Sequence, residues 1–172
     1  CPEKITGKRW LEVMAAVHRA GLRSNATMLF GHLESWEDRI DHLRQLRELQ
    51  DETGGFMAFI PLPYQADNTR LPGLRGPGGV EILKTLAISR LFLDNFQHLK
   101  GYWVMLGVKL AQVALAFGVN DLDGTVIEER IGHAAGAASP QVLSCEELCW
   151  LIRRAGKQPV ERDSLYRLLG EH

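Results

Sequence analysis

Four groups of residues combine hydrogen-bonding and ionisable side chains where short apolar runs give way to helical patterns. The first is Asn25, Thr27, His32 and Glu34, an amide, a hydroxyl, an imidazole and a carboxylate spread over one run and the turn after it. The second is Pro61, Tyr64, Asn68 and Thr69, and the third is Tyr102, Trp103 and Met105. The fourth is Asp121, Asp123 and Thr125, followed by Glu128, Glu129 and His133. In a barrel of parallel strands, functional side chains collect at the carboxyl ends of strands and in the loops after them. Each group also has a plainer reading. Asn25 and Thr27 can be hydrogen-bonding fillers on a strand, and His32 and Glu34 can satisfy a helix N-terminus. Tyr102 and Trp103 can be core or interface aromatics, and Asp121 and Asp123 turn residues. The acids Glu37, Asp38, Glu48, Asp51 and Glu52, interleaved with Arg39, Arg44 and Arg47, read as a solvated helix face.

Metal and nucleophile chemistry finds little support. Cys145 and Cys149 stand one helical turn apart without a third Cys or His nearby, which reads as two partly buried helix residues. The chain carries no H-E-x-x-H, C-x-x-C, P-loop or G-x-S-x-G pattern.

The elements that must position these residues follow from periodicity. Trp10, Leu11, Met14 and Val17 form one helical stripe, and Gly21 stands where a C-cap belongs. Leu22 to Phe30 alternates as a strand, and Ser35 with Asp38 resembles a capping box opening a helix that Gly54-Gly55 ends. Phe56 to Ile60 is a compact strand that Pro61 and Pro63 should stop. A long loop to Gly79 precedes a helix over 80–95, a strand over 99–106 and a helix over 107–117. Residues 121–125 are a short strand or turn, with a helix expected over 127–136. Ser144 and Glu147 predict a second capping box, and a last helical turn is expected from Asp163. Helices alternating with short strands mean parallel βαβ units. Four strands are half of an eight-stranded barrel, and the alternative is an open doubly wound sheet, although no G-x-G-x-x-G turn is present.

Composition narrows the class. At 172 residues, 45% hydrophobic and 24% charged, the chain is globular in type, and a net charge of −1 offers no bulk field for nucleic acid or anionic membrane. No apolar stretch approaches a membrane span, and the opening Cys1-Pro2-Glu3-Lys4 is neither an initiator Met nor a signal peptide. Three cysteines do not make a disulfide framework, so a reducing, cytoplasmic location is expected.

The segment Ser24-Asn25-Ala26-Thr27-Met28-Leu29-Phe30-Gly31-His32-Leu33-Glu34 resembles the adenosine-contacting strand and turn of radical-SAM enzymes of menaquinone and deazaflavin synthesis. The likeness continues through Leu49 to Phe56, Ala58 to Pro61, Asn68-Thr69, Trp103, Lys109 to Gln112 and Asp121 to Thr125, which is nearly the whole chain. Asp123 to Glu129, His133 to Ala137, Ser139 to Gln141 and Pro159 to Tyr166 are similar to the aminofutalosine synthase family. The alternative within the group is the corresponding half of the dehypoxanthine futalosine cyclase, which shares the Gly-His-x-Glu and Asp-Glu-Thr-Gly-Gly-Phe segments.

This resemblance implies an α/β fold, the C-terminal half of a (β/α)8 TIM-type radical-SAM barrel over 1–136, with a C-terminal helical extension over 137–172. It implies a transferase that uses S-adenosyl-L-methionine and a [4Fe-4S] cluster to add a 5′-deoxyadenosyl group to 3-[(1-carboxyvinyl)oxy]benzoate, giving 6-amino-6-deoxyfutalosine. Asn25, Thr27, His32 and Glu34 would face the nucleoside, and Asn68, Thr125 and His133 the substrate. The family's C-x-x-x-C-x-x-C motif does not occur in these residues. The chain alone is therefore expected to bind no cluster. It should pair with the missing N-terminal half of the barrel, or with a second copy through exposed strand edges. The alternative from another class is a non-catalytic domain that binds a nucleoside or a partner.

Overall fold

The computed structural model describes residues 4–66, 73–126 and 142–171. It opens with helix α1 (Gly7–Arg19), whose Thr6 cap accepts the Arg9 amide at 3.2 Å. Strand β1 (Ser24–Phe30) leads to α2 (Trp36–Thr53), which starts at the reciprocal Ser35–Asp38 capping box and ends at Gly54 in the left-handed conformation. Strand β2 (Phe56–Pro63), α3 (Gly79–Phe92) and β3 (His98–Leu99) follow, then the single turn α4 (Trp103–Leu106) and α5 (Val108–Ala114). Beyond these lie α6 (Cys145–Arg154), with the reciprocal Ser144–Glu147 box, and strands β4 (Val160–Arg162) and β5 (Leu168–Glu171).

The three main strands lie parallel in chain order, β1-β2-β3, and Lys100 extends the series by a parallel bridge to Asp121. Neighbouring helices touch each other, α1 on α2, α2 on α3 and α3 on α5, so these four form one layer against the sheet. A doubly wound sheet reverses its strand order and carries helices on both faces. Neither feature is found among the described residues. Successive parallel strands with successive outer helices are the arrangement of a segment of a (β/α)8 barrel.

Alternation decides what each strand shows to which side. Ala26, Met28 and Phe30 of β1 are buried beneath the helices, level with Phe59, Pro61 and Pro63 of β2. Asn25, Thr27 and Leu29 point the other way, toward the barrel interior, and are exposed. In β2 the register shifts by one residue near its start, which keeps Phe56 and Phe59 both on the helix side. There Phe56 stacks with Phe96 at 5.3 Å and Phe59 meets it edge-on at 6.2 Å. At roughly 1.5–3 kcal/mol for each large apolar side chain fully buried, this helix-side layer is the main source of stability.

A buried histidine ties the first two helices to the sheet. The Thr53 hydroxyl donates to the Leu49 carbonyl at 2.8 Å, so its oxygen accepts from His18 Nδ1 at 2.8 Å. The opposite nitrogen, Nε2, then accepts from the Ser24 hydroxyl at 2.9 Å. Burial lowers the His18 ionisation, in keeping with this neutral tautomer.

Four expectations are corrected. Strand β2 continues through Pro61 and Pro63: the Tyr64 amide bonds the Phe30 carbonyl, so by alternation the two proline nitrogens face away from β1, where β3 no longer pairs. The strand over 99–106 ends at Lys100. The Gly101 amide bonds the Asp121 carbonyl at 2.7 Å, and residues 103–106 then coil into α4 so that Trp103 is buried. Arg39 is not on a solvated face; it is 5% exposed. The helical turn at Asp163 is instead the bend of the antiparallel β4–β5 hairpin. The helix expected over 127–136 and the boundary at 136/137 lie outside the described residues.

Candidate functional site

At the carboxyl end of β1 the chain turns through Gly31, whose φ of 86° only glycine adopts without strain. This turn is organised around one carboxylate. Glu34 accepts the Gly31 amide at 2.5 Å and the His32 amide at 3.0 Å, and Arg39 Nε donates to it at 2.7 Å. Burial alone would raise the Glu34 carboxyl, but the Gly31, His32 and Glu34 amides and the Arg39 guanidinium outweigh it and hold it at about 2. Arg39 is itself enclosed. It donates to Thr85 at 3.0 Å and Glu81 at 2.5 Å and lies over the Trp36 ring at 4.5 Å and the Phe30 ring at 5.1 Å. Glu34 is thus an anion spent on shaping the turn. His32, beside it with Nδ1 at 2.5 Å and meeting the Tyr64 ring edge-on at 5.8 Å, is the more open of the two.

The inner face of β1 presents Asn25 and Thr27, the exposed polar pair level with Ala58 and Ile60 of β2. Across the sheet, His98 is level with Ala58, and Lys100 bridges to Asp121, so these polar residues share that inner face. Lys100 Nζ donates to Asp123 at 2.6 Å. Asp121 accepts the Asp123 amide at 2.7 Å and Arg162 at 2.6 Å. Thr125 is exposed just beyond, where Trp103 Nε1 donates to the Gly124 carbonyl at 3.0 Å and fixes the chain. A cleft of about 890 Å³ runs beside the Lys100–Asp121 bridge, lined by His98, Asp121, Asp123, Thr125, Arg162 and Tyr166 among others.

Of the residues singled out from sequence, Asn25, Thr27, His32 and Glu34 stand on the inner face or at the carboxyl end of β1, and Thr125 follows the Lys100–Asp121 bridge. Asn68 and His133 lie outside the described residues. Sequence reasoning passed over His98, Lys100 and Arg162. The first two could have been found from their spacing, because two polar residues at i and i+2 in an otherwise apolar strand face the same side. Arg162 could be placed only by the fold, since it meets Asp121 from 41 residues away.

Cys145 is exposed and Cys149 buried, and no three His, Cys, Asp or Glu side chains converge as a metal site among the described residues. No described helix is long and apolar enough to cross a membrane.

Comparison with known proteins gives a consistent picture. The chain is 52% identical over 168 residues to the aminodeoxyfutalosine synthase of Thermus thermophilus, covering 95% of this chain and 45% of that protein. It is 45% identical over 174 residues to the aminodeoxyfutalosine synthase of Streptomyces coelicolor, covering 95% and 45%. The 5-amino-6-(D-ribitylamino)uracil–L-tyrosine 4-hydroxyphenyl transferase of Archaeoglobus fulgidus is 42% identical over 171 residues, covering 98% and 50%. The chain spans about half the length of these relatives. Residues 53–171 match the family model described as CofH/MqnC C-terminal region, and the chain belongs to that family.

Proposed function

We propose that this chain is the later half of the barrel of a cytoplasmic aminodeoxyfutalosine synthase, a radical-SAM transferase of menaquinone biosynthesis. The observation that carries this reading is the 52% identity to one such synthase along 95% of the chain, set against 42% to the archaeal hydroxyphenyl transferase. In the full-length enzyme, S-adenosyl-L-methionine and a [4Fe-4S] cluster would supply the 5′-deoxyadenosyl radical; its addition to the enol ether of 3-[(1-carboxyvinyl)oxy]benzoate, rearrangement and loss of the carboxylate as bicarbonate would give 6-amino-6-deoxyfutalosine. The described residues do not fit the cluster: its thiolate donors must come in threes, and Cys145 and Cys149 have no third partner.

What these residues can do is bind and orient. Asn25 and Thr27 offer an amide and a hydroxyl on the inner face, the hydrogen-bonding groups a nucleoside requires. Glu34 holds the turn that places the His32 ring at the strand end, and Thr125, just after the Lys100–Asp121 bridge, serves the substrate side. Asn68 and His133 belong to the same substrate end in this reading. The outer helices and the Phe56–Phe59–Phe96 layer exclude water from behind the sheet.

The partner of this half barrel is the N-terminal half, with a second copy of the chain as the substitute when that half is missing. The test compares the 172-residue chain with the full-length protein, each given S-adenosyl-L-methionine, reductant and the enol-ether acid anaerobically. Mass spectrometry is expected to find 6-amino-6-deoxyfutalosine only with the full-length protein. Product from the short chain alone would refute the division of labour. A clean monomer of the short chain by light scattering would refute the self-pairing.

A further inference from the structure

The β4–β5 hairpin comes from the far C-terminus, yet it packs against the inner face of the sheet. The Tyr166 ring lies flat on the His98 imidazole, with centroids 4.0 Å apart and planes 21° apart. His98 is level with Ala58 of β2, which is level with Asn25 of β1, all near the amino ends of their strands. Tyr166 therefore sits toward the end of the barrel interior opposite to the Gly31 turn.

The contact is locked on both sides. Arg162 donates to Asp121 at 2.6 Å, lies 3.8 Å from Asp123 and covers the other side of the Tyr166 ring at 4.2 Å. Tyr166 is thus clamped between an imidazole and a guanidinium. Within the bend, Asp163 accepts the Leu165 and Arg167 amides, both at 2.9 Å, and Arg167 Nε at 2.6 Å. This holds Tyr166 at a φ of 64°, a conformation that costs a non-glycine residue free energy and persists only where its surroundings over-determine it. Burial, and then the Asp121 carboxylate, push the phenol's ionisation up, so the plug is neutral. Burial likewise lowers the His98 ionisation, and an uncharged imidazole stacks without desolvating a charge.

We infer that the hairpin is the floor of the barrel: Tyr166 plugs the amino end of the interior and the Arg162–Asp121 pair bolts it shut. This role rests on the reading that the interior is the reaction chamber. A chamber handling a reactive group at its carboxyl end has to be closed to water at its amino end as well. The same bolt fixes Asp121 and, through Asp123, the ammonium of Lys100, so the floor also sets the polar layer above it.

The test uses the full-length protein. Tyr166→Ala is expected to speed amide hydrogen exchange at residues 98–101 and 120–121 severalfold. It should also raise the S-adenosyl-L-methionine consumed per molecule of product severalfold. Tyr166→Phe, which keeps the ring, should leave both readouts near wild type. If Tyr166→Ala does not fold, Arg162→Gln keeps the plug, removes the bolt and is read in the same way. Unchanged exchange overturns the inference, as does faster exchange with an unchanged consumption ratio, because the hairpin would then be structural only. A wild-type protein that forms no product sinks the functional reading instead, while the exchange measurement still reports whether the hairpin closes the interior.

Discussion

The guanidinium of Arg39 donates through Nε to Glu34 at 2.7 Å, across a sequence separation of five residues, and it does so while almost wholly buried. Glu34 belongs to the Gly31-His32-x-Glu34 motif, and this pair shows that the motif's acid faces its own turn. It has a measurable consequence. The Glu34 carboxyl is held at about 2, against an ordinary value of 4.5. A carboxyl whose folded-state value is depressed stabilises the fold above its unfolded value, and that stability is lost as pH falls. Stability should therefore decline between about pH 4.5 and 2, and Glu34→Gln should flatten that decline while costing about 1–3 kcal/mol at pH 7. Urea melts of the two proteins from pH 7 to 3 check this.

Asn25 is exposed on the inner face, with no share in the helix-side core. Asn25→Ala should change stability by less than about 0.5 kcal/mol, as surface substitutions do. In the full-length enzyme it should nonetheless raise the KM for S-adenosyl-L-methionine about tenfold, the effect of losing one or two hydrogen bonds to a polar ligand. Thermal melts together with steady-state kinetics separate the two effects. An unchanged KM would remove Asn25 from the proposed nucleoside contacts.

Gly55 follows the C-cap of α2, and any Cβ there would collide with the His18 ring. His18 is held at both nitrogens by Thr53 and Ser24, so it has no free rotamer to yield. Gly55→Ala should cost about 1–3 kcal/mol, the range for overpacking a well-filled site. Gly54→Ala should cost less, because its penalty is only the left-handed φ of 59° and nothing lies within 4 Å. Chemical denaturation of both variants gives the comparison.

The two described thiols should react unequally. Cys145 is exposed, but its hydrogen bond with Cys149 and the field of that thiol raise its ionisation. Thiolate is the reactive form, so alkylation at pH 7 should be slow and should accelerate up to and beyond pH 9. Buried Cys149 should react only on unfolding. Peptide mapping after timed alkylation distinguishes the two sites.

Local chemistry made much of this fold legible from sequence. The helical stripe at Trp10, Leu11 and Met14, the caps at Ser35 and Ser144 and the stop at Gly54 are all short-range signals, and each helix lies where they place it. The inner face of β1 was legible because alternation separates Asn25 and Thr27 from Ala26 and Met28. The rest depends on contacts distant in sequence. Arg39 sits among acids on a helix that reads as solvated, and only the approach of Glu81 and Thr85, 42 and 46 residues away, buries it. Residues 103–106 carry strand-forming side chains, yet Gly101 turns the chain at Asp121 and Trp103 coils inward. Asp163 heads a bend that resembles a helix start, because its carboxylate collects amides in both settings.

The central claim is that this inner face serves the synthase reaction and not the archaeal transferase's. The direct measurement offers the full-length enzyme both substrate sets under reducing, anaerobic conditions with S-adenosyl-L-methionine: 3-[(1-carboxyvinyl)oxy]benzoate on one side, L-tyrosine with 5-amino-6-(D-ribitylamino)uracil on the other. The account predicts that 6-amino-6-deoxyfutalosine accumulates and that the uracil goes unmodified. Modified uracil without any 6-amino-6-deoxyfutalosine would contradict it.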